Sequence, residues 1–215
     1  MSRKKIIRIT TISFSLDTLL KGQLSFLNNY YEVVGIASGK KELQKVSKRE
    51  DIRVINIPMS REISLWQDLR SLILLVALFI KERPYIVHAN TPKASLLAMV
   101  AAWVTRVPYR IYTVTGLRFE TAIGNFRKLL IAMEKITCWC ATKVIPVGEG
   151  VKKALIREKI TNRPLRVILN GNINGIDTQH YDRTTLVNLL ASEIREKDKF
   201  TFCFVGRLVR DKGIN

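Results

Sequence analysis

Short apolar, β-branched runs alternate with helical stretches along most of the chain. This alternation is typical of a parallel sheet whose strands are joined by crossover helices. The predicted strands are Ile6–Thr10, Val33–Ala37, Arg53–Ile57, Tyr85–Ala89, Arg110–Thr115, Lys143–Pro146 and Leu165–Leu169. The predicted helices between them are Leu19–Tyr30, Lys41–Arg49, Leu65–Glu82, Lys93–Thr105, Arg127–Cys140 and Glu149–Glu158. The sequence therefore predicts an α/β fold with a doubly wound parallel sheet, whose ligands bind at the carboxyl ends of the strands.

The alternation stops at residues 170–175, where Asn and Gly favour a loop or hinge. We predict a first domain over residues 1–169 and a hinge or linker over 170–195, with a helix at Thr184–Ile194. Residues 196–215 are predicted to be the first strand and phosphate loop of a second domain. The sequence ends at that loop, so we expect the rest of the second domain to be missing from these 215 residues.

The charge of the chain is strongly unbalanced, with 36 Lys and Arg against 18 Asp and Glu and a net charge of +18. Such a surface favours an anionic partner, which is a nucleic acid, an anionic membrane face or a phosphorylated substrate. Basic residues concentrate in 40–53 and 143–166, although such runs are usually solvated faces. We expect no nucleic-acid partner, because the sequence has no basic helix-turn-helix, RNA-binding aromatic motif or zinc finger.

Cysteine usage and hydropathy favour a cytoplasmic protein. Cys138, Cys140 and Cys203 have neither the number nor the spacing of a disulfide framework, which favours buried thiols in a reducing compartment. The apolar run Leu72–Ile80 is about half of the roughly 20 residues that span a bilayer. It predicts a buried helix, with a membrane-dipping helix as the alternative.

Common cofactor and hydrolase motifs are missing. The loop after the first strand, 13–23, lacks the Gly-x-Gly-x2-Gly pattern, and there is no Walker loop or Gly-x-Ser-x-Gly motif. His88 and His180 are far apart in sequence and no carboxylates cluster with them, so no metal-ligand set is recognisable. We therefore expect no cofactor and no metal.

Three places in the predicted first domain carry candidate ligand contacts. Residues 21–23 (Lys-Gly-Gln) either present an amine and free backbone N–H groups to an anion or form a solvated helix start. His88 ends a strand and is either a ligand contact or a hydrogen-bonded structural residue; the nearby Lys93 favours the first. Thr115-Gly116 ends the next strand, where Gly116 would let a ligand approach the backbone. Adjacent strand ends favour a shared cleft over ordinary loops.

The segment from Gly206 to Gly213 is the sharpest motif. Arg207 follows an apolar strand and Lys212 comes five residues later, at a predicted helix start. An Arg fork and a Lys point charge near a helix N-terminus suit a diphosphate. The alternative is an ordinary charged turn.

Taken together, these features resemble the family 4 retaining glycosyltransferases, and most closely the bacterial branch that builds glycans on undecaprenyl diphosphate. The resemblance extends over nearly the whole chain. The matching stretches are Leu20-Lys-Gly-Gln, Met59-Ser-Arg, Val87-His-Ala-Asn-Thr-Pro-Lys-Ala, Thr113-Val-Thr-Gly-Leu, Met133-Glu-Lys, Ala141-Thr-Lys-Val, Asn174-Gly-Ile-Asp and Phe204-Val-Gly-Arg-Leu-Val-Arg-Asp-Lys-Gly.

The resemblance implies a GT-B architecture, with an amino-terminal acceptor domain facing a carboxyl-terminal nucleotide-sugar domain, both Rossmann-like. On the acceptor side the matching positions are Gly22, His88, Thr115 and Gly116. Many relatives have a His near Thr115 that touches the donor sugar, and a Thr weakens that role. Arg207 and Lys212 match the pair that holds the donor diphosphate and stabilises the leaving nucleotide without a metal.

The implied partners are a UDP-sugar donor, an undecaprenyl-diphosphate-linked acceptor and the anionic inner face of the cytoplasmic membrane. The family's Glu-x7-Glu motif, which binds the donor sugar and ribose, lies in the second domain, and residues 196–215, the predicted start of that domain, do not contain it. We therefore expect residues 1–215 alone to have negligible transferase activity unless a complementary chain supplies the missing domain. The alternative is a non-catalytic membrane- or lipid-binding module.

Overall fold

Six parallel strands form one sheet in the computed structural model, which describes residues 3–60, 62–179, 181–194, 199–200 and 202. The strands are β1 (Lys5–Ile12), β2 (Glu32–Ser38), β3 (Arg53–Asn56), β4 (Ile86–Ala89), β5 (Tyr109–Val114) and β6 (Lys143–Pro146). Their order across the sheet is β3-β2-β1-β4-β5-β6, so the chain winds outward from β1 in one direction and then in the other. This doubly wound order confirms the predicted fold class.

The predicted strand Leu165–Leu169 is wrong, because these residues form no strand. Leu165 packs against the core, whereas Ile168 and Leu169 are exposed. Leu169 also has a φ of 50°, which takes its backbone out of the extended conformation. This apolar segment therefore does not pair with any strand of the described sheet.

Strand β1 lies at the centre of the sheet, between β2 and β4. Its Arg8 is in register with Gly35 of β2 and with His88 of β4. Successive side chains of a strand face opposite sides of the sheet, so Arg8 shares one face with Ile6 and the two neighbouring isoleucines face the other side. The register therefore places Arg8 and His88 side by side.

Helices cover both faces of the sheet. On one face lie α1 (Ser13–Leu19), α2 (Gln23–Asn28) and α3 (Lys40–Glu50). On the other lie α4 (Leu65–Glu82), α5 (Pro92–Val104) and α6 (Gly124–Cys140), while α7 (Glu149–Arg157) follows β6. Each face has its own buried apolar cluster, and burial of apolar surface, at about 25 cal/mol per Å², is the main stabilising contribution.

The predicted helix Leu19–Tyr30 corresponds to α2, which is shorter and begins at Gln23. A separate helix, α1, begins at Ser13, within the segment 13–23 that was predicted to be a loop. Gly22 between the two helices has a φ of 75°, a left-handed conformation that glycine adopts without steric cost. The prediction therefore extended α2 back across this turn and missed α1.

The chain divides into a first compact unit that ends at Asn174 and a second that begins at Gly175. The second contains α8 (Thr185–Ile194), close to the predicted helix, and α8 has no buried residue. The predicted hinge over 170–195 stays a prediction, and most of 196–215 lies outside the described residues. Among the helices of the described ranges, none is long and apolar enough to cross a membrane.

Candidate functional site

A groove of about 670 Å³ lies on the face of the sheet that carries α2. Ile86 of β4 and Ile111 of β5 supply part of its apolar floor, and Phe26 and Tyr31 supply an apolar wall. The polar lining consists of Arg8, Lys21, Gly22, Gln23, His88 and Asn174. Among the described residues this lining contains a guanidinium and an ammonium group but no carboxylate, which favours a positive electrostatic potential.

Arg8 is the buried centre of the polar lining, with 1% of its surface exposed. Its Nη2 donates a hydrogen bond to Gln23 Oε1 at 2.9 Å, and its Nη1 contacts His88 Nδ1. The remaining Nε has no hydrogen-bond partner in the described part of the chain. Burial lowers the pKa of Arg8 to about 9, which still leaves the guanidinium charged at neutral pH.

His88 is held at both ring nitrogens. Because Arg8 can only donate, Nδ1 of His88 accepts and the ring proton lies on Nε2. That Nε2 donates to the Thr113 hydroxyl oxygen at 2.7 Å. His88 is therefore a neutral, oriented ring in the groove, and neither nitrogen is free to act as a base without rearrangement.

Gly22 lines the groove, but its backbone N–H points elsewhere. This N–H donates to Oε1 of Glu50 at 3.0 Å, and the Ser25 N–H donates to Oε2 at 3.1 Å. Burial opposes ionisation of Glu50, but the Gly22 amide, Arg49 and the Ser25 amide together lower its pKa. The prediction that Gly22 presents a free backbone N–H to an anion is therefore wrong, because this N–H already donates to the buried carboxylate of Glu50.

Asn174 closes the groove at the side of the α1–α2 turn. Its Nδ2 donates to the Lys21 carbonyl oxygen at 2.7 Å, and Gln23 Nε2 contacts Asn174 Oδ1 at 3.3 Å. Gln23 Nε2 also lies 3.2 Å from the carbonyl oxygen of Ile173. These bonds fix the amide of Gln23 so that its oxygen accepts from Arg8.

Thr115 and Gly116 lie outside this groove, after the end of β5. The Thr115 hydroxyl donates to the Asn90 carbonyl oxygen at 3.0 Å. An added Cβ at Gly116 would meet no atom within 4 Å, so packing does not require glycine there. The four predicted acceptor-side residues therefore occupy two places, with Gly22 and His88 in the groove and the other two beyond β5.

Lys93 does not support His88, contrary to the prediction. Its ammonium group donates to the Asp68 carboxylate at 2.7 Å and to the Glu62 carbonyl oxygen. Lys93 is buried in the first turn of α5, which packs against α4 on the opposite face of the sheet. Lys93 therefore does not reach the groove that contains His88, although the two residues are close in sequence.

A second cavity, of about 40 Å³, lies between α5 and α6 on that opposite face. Phe119, Leu130 and the buried carboxyl group of Glu134 line it. Glu134 Oε1 accepts a hydrogen bond from the Tyr112 hydroxyl at 2.6 Å. Burial raises the pKa of Glu134 to about 7, although the Tyr112 bond acts in the other direction. This carboxyl group therefore changes charge near neutral pH.

Sequence reasoning did not identify Arg8 or Asn174 as site residues. Arg8 carried a usable signal, because a charged residue within an apolar central strand must be buried when helices cover both faces. Asn174 carried no such signal, since its partner Gln23 is 151 positions away in sequence. The predicted donor-side residues Arg207 and Lys212 lie outside the described residues.

A model of the glycosyl transferase 4-like domain matches residues 29–171, which is well over half of the chain. The chain belongs to this family. The capsular polysaccharide biosynthesis glycosyltransferase CapM of Staphylococcus aureus is 39% identical over 219 residues, covering 100% of this chain and 56% of CapM. An Escherichia coli UDP-Gal:alpha-D-GlcNAc-diphosphoundecaprenol alpha-1,3-galactosyltransferase is 30% identical over 163 residues, covering 74% of this chain and 41% of that enzyme. The chain thus spans about half the length of the curated relatives it matches.

Solved structures share the fold of this chain at low sequence identity. HepE from Anabaena, in complex with UDP and glucose, superposes with a TM-score of 0.65 at 14% identity, covering 89% of this chain and 50% of HepE. A glycosyltransferase from Rickettsia africae gives a TM-score of 0.59 at 19% identity, covering 92% of this chain and 51% of that protein. These similarities confirm the predicted Rossmann-like, GT-B-type fold.

Proposed function

We propose that this chain supplies the acceptor-binding part of a retaining glycosyltransferase in bacterial polysaccharide or glycan assembly. The enzyme transfers a hexosyl or N-acetylhexosaminyl group from a UDP-sugar to a sugar on undecaprenyl diphosphate. The observation that carries the proposal is the family match together with the similarity to CapM along the whole chain. The name of the E. coli relative states a diphosphoundecaprenol acceptor, and HepE was solved with UDP, which supports both substrate classes.

In this proposal Arg207 and Lys212 act on the donor. They hold its diphosphate and stabilise the negative charge that develops on the leaving UDP as the bond to the sugar breaks. Preorganised cations at a leaving group supply a large part of the catalysis in such reactions, and here they take the place of a metal ion. Gly22 and His88 in the groove, and Thr115 and Gly116 after β5, form the acceptor side.

A peripheral position at the inner face of the cytoplasmic membrane is also part of the proposal. The outer face of α4 exposes Trp66, Leu69, Ile73 and Ile80, and that of α6 exposes Phe126, Leu129, Ile136 and Trp139. Exposed basic residues lie among them: Arg70, Lys81, Lys128 and Lys135. An apolar face with interspersed cations complements an anionic bilayer, into which the acceptor lipid is anchored.

Transfer of label from a panel of UDP-sugars to undecaprenyl-diphosphate-linked N-acetylglucosamine tests the proposal. Purified residues 1–215 are assayed with and without membranes, and binding of the acceptor lipid is measured in parallel. We expect acceptor binding without transfer, because residues 196–215, the predicted start of the second domain, do not contain that domain's Glu-x7-Glu motif. Transfer by residues 1–215 alone would contradict the assignment of the donor chemistry to a second domain. Failure to bind the acceptor would contradict the acceptor role.

A non-catalytic membrane- or lipid-binding module is the second candidate function, and the exposed apolar face of α4 favours it. The two candidates separate when a polypeptide carrying the second half of CapM is added to residues 1–215. Transfer restored by the added polypeptide supports the glycosyltransferase. Vesicle and lipid binding that persist without any transfer support the module.

A further inference from the structure

Arg8 differs from the buried Lys93 and the half-buried Lys5 in having no carboxylate partner among the described residues. Lys93 pairs with Asp68 at 2.7 Å, and Lys5 pairs with Glu82 at 2.6 Å. Arg8 is the most buried of the three, yet among the described residues its hydrogen-bond partners are the neutral side chains of Gln23 and His88. The fold therefore holds a fully buried charge that no described carboxylate neutralises.

An unpaired buried charge is destabilising, because the lost hydration is not replaced by an ion pair. Two neutral acceptors compensate for only part of that loss, and Nε of Arg8 is left without any acceptor. A hydrophobic side chain at this position would avoid the cost. The guanidinium is thus explained best by an anion that comes from outside the described chain.

The groove next to Arg8 has the size and chemistry to hold such an anion. Its volume of about 670 Å³ lies within the range of ligand pockets, about 300–1,000 Å³. Lys21 adds a second cation at the exposed rim, while the described lining has no acidic side chain. The Glu50 carboxylate behind it is occupied by the amides of Gly22 and Ser25. Phe26, Tyr31 and Ile111 offer an apolar surface beside the two cations, which suits a ligand with an anionic head and an apolar body.

We propose that this groove binds the diphosphate group of a diphosphate ester, with Arg8 and Lys21 as its cationic contacts and the wall around Phe26 receiving the adjacent organic part. The diphosphate of a polyprenyl lipid and that of a nucleotide share this chemistry. Assignment to the acceptor lipid rests on the proposed function, whereas the anion site itself does not. The groove would fix the lipid headgroup away from Thr115 and Gly116, which remain available to the acceptor sugar.

Direct binding to residues 1–215 tests the proposal, with farnesyl diphosphate, UDP, inorganic pyrophosphate and uncharged farnesol as probes. We expect farnesyl diphosphate to bind at least tenfold more tightly than farnesol, and pyrophosphate to compete with it. The variant Arg8→Met replaces the charged side chain with an apolar one. It should weaken farnesyl diphosphate binding at least tenfold, while the melting temperature of the protein without ligand stays equal or rises. Lys21→Gln, on the exposed rim, should weaken binding about threefold, since the charge it removes is solvated.

The control variant Lys48→Gln removes one exposed charge from α3 and should leave binding unchanged. Farnesyl diphosphate binding that depends on Arg8 supports the lipid source, and UDP binding with the same dependence supports the nucleotide source. Binding of all probes unaltered by Arg8→Met and Lys21→Gln, or no diphosphate binding to the folded chain, would overturn the site. Arg8→Met can also be tested in the transfer assay with the added second half of CapM. If diphosphate binding is absent but transfer to the acceptor is intact, the inference is overturned and the proposed function is not.

Discussion

At the residue scale, Glu134 and Arg8 show two ways in which this fold holds an ionisable group away from water. Arg8 remains charged despite burial, because guanidinium keeps its proton even when its pKa falls to about 9. Glu134 is buried with Tyr112 as its hydrogen-bond donor, and this burial raises its pKa to about 7. The cavity beside it is lined by Phe119 and Leu130 together with Lys93 and Arg118. Glu134 is therefore neutral in the folded state at mildly acidic pH and becomes charged above neutrality.

The ionisation of Glu134 predicts a loss of stability as the pH rises from about 4.5 to about 7. The folded state binds the proton more tightly than the unfolded state, whose carboxyl has a pKa of 4.5. Its contribution is therefore complete below pH 4.5 and is lost as pH rises through about 7, by about 3 kcal/mol in total. Glu134→Gln keeps an acceptor for Tyr112 but cannot ionise, so it should remove this loss.

Urea unfolding of the wild type and Glu134→Gln at pH 5 and pH 8 measures this difference. We expect the variant to gain stability relative to the wild type between the two pH values. Glu149→Gln, which removes an exposed carboxylate from α7, is the control and should follow the wild type. Equal pH dependence of Glu134→Gln and wild type would show that this carboxyl group is not the one that titrates.

At the scale of elements, the contact between α1 and the sheet depends on Gly35 of β2. A Cβ added there would lie 3.1 Å from Leu16 Cδ2 of α1 and 3.2 Å from Ile52 Cδ1, which is closer than ordinary van der Waals contact. Leu16 is fully buried and cannot move freely, because the cluster around it is closely packed. Gly35 therefore sets how closely α1 approaches β2.

Gly35→Ala should destabilise the first unit by about 1–3 kcal/mol, the usual cost of overpacking a core. Thermal or urea unfolding measures the change. Gly150→Ala is the matched control: its added Cβ would meet no atom within 4 Å, and alanine in the exposed first turn of α7 should stabilise by about 0.5–1 kcal/mol. A destabilisation of the same size by both substitutions would show that glycine backbone freedom, and not the contact with Leu16, matters.

Hydrophobic patterns in the sequence predicted most of the strands and helices of the first unit correctly. All six strands and α3 to α7 lie where periodicity and flanking Pro residues placed them, within a few residues. The errors have physical causes: the left-handed turn at Gly22 ends the predicted helix early and separates it from α1, which was predicted to be a loop, and residues 165–169 have no strand beside them in the described sheet. The groove was predicted only in part, since its contacts join β1, the α1–α2 turn and Asn174.

At the scale of the whole first unit, the two faces of the sheet have different surroundings. One face carries the groove with Arg8 and His88, while the other carries the layer of α4, α5 and α6. The central helix α5 is mostly buried except at its carboxyl end, where Trp103 and Val104 are exposed, so α4 and α6 form most of the outside of that layer. Trp66, at 85% exposure, and Trp139, at 61%, mark the ends of an apolar surface that no described element covers.

The exposed face of α4 predicts binding to anionic vesicles. Leu69→Glu/Ile73→Glu places two negative charges in the middle of this face and should weaken binding to phosphatidylglycerol-containing vesicles roughly tenfold, because apolar burial and attraction to the lipid both decrease. Wild-type binding should also fall as salt rises, since ions screen the cations around the face. Co-sedimentation with vesicles over a range of NaCl concentrations measures both effects.

The matched control is Phe14→Glu/Ile156→Glu, which introduces two glutamates at exposed apolar positions of α1 and α7. It changes net charge equally but leaves α4 intact, so its binding should stay within about twofold of the wild type if attraction is local to the α4 face. Equal loss in both double variants would mean that net charge alone drives binding. Unchanged binding of Leu69→Glu/Ile73→Glu would exclude α4 as the membrane contact and leave its apolar face to a protein partner.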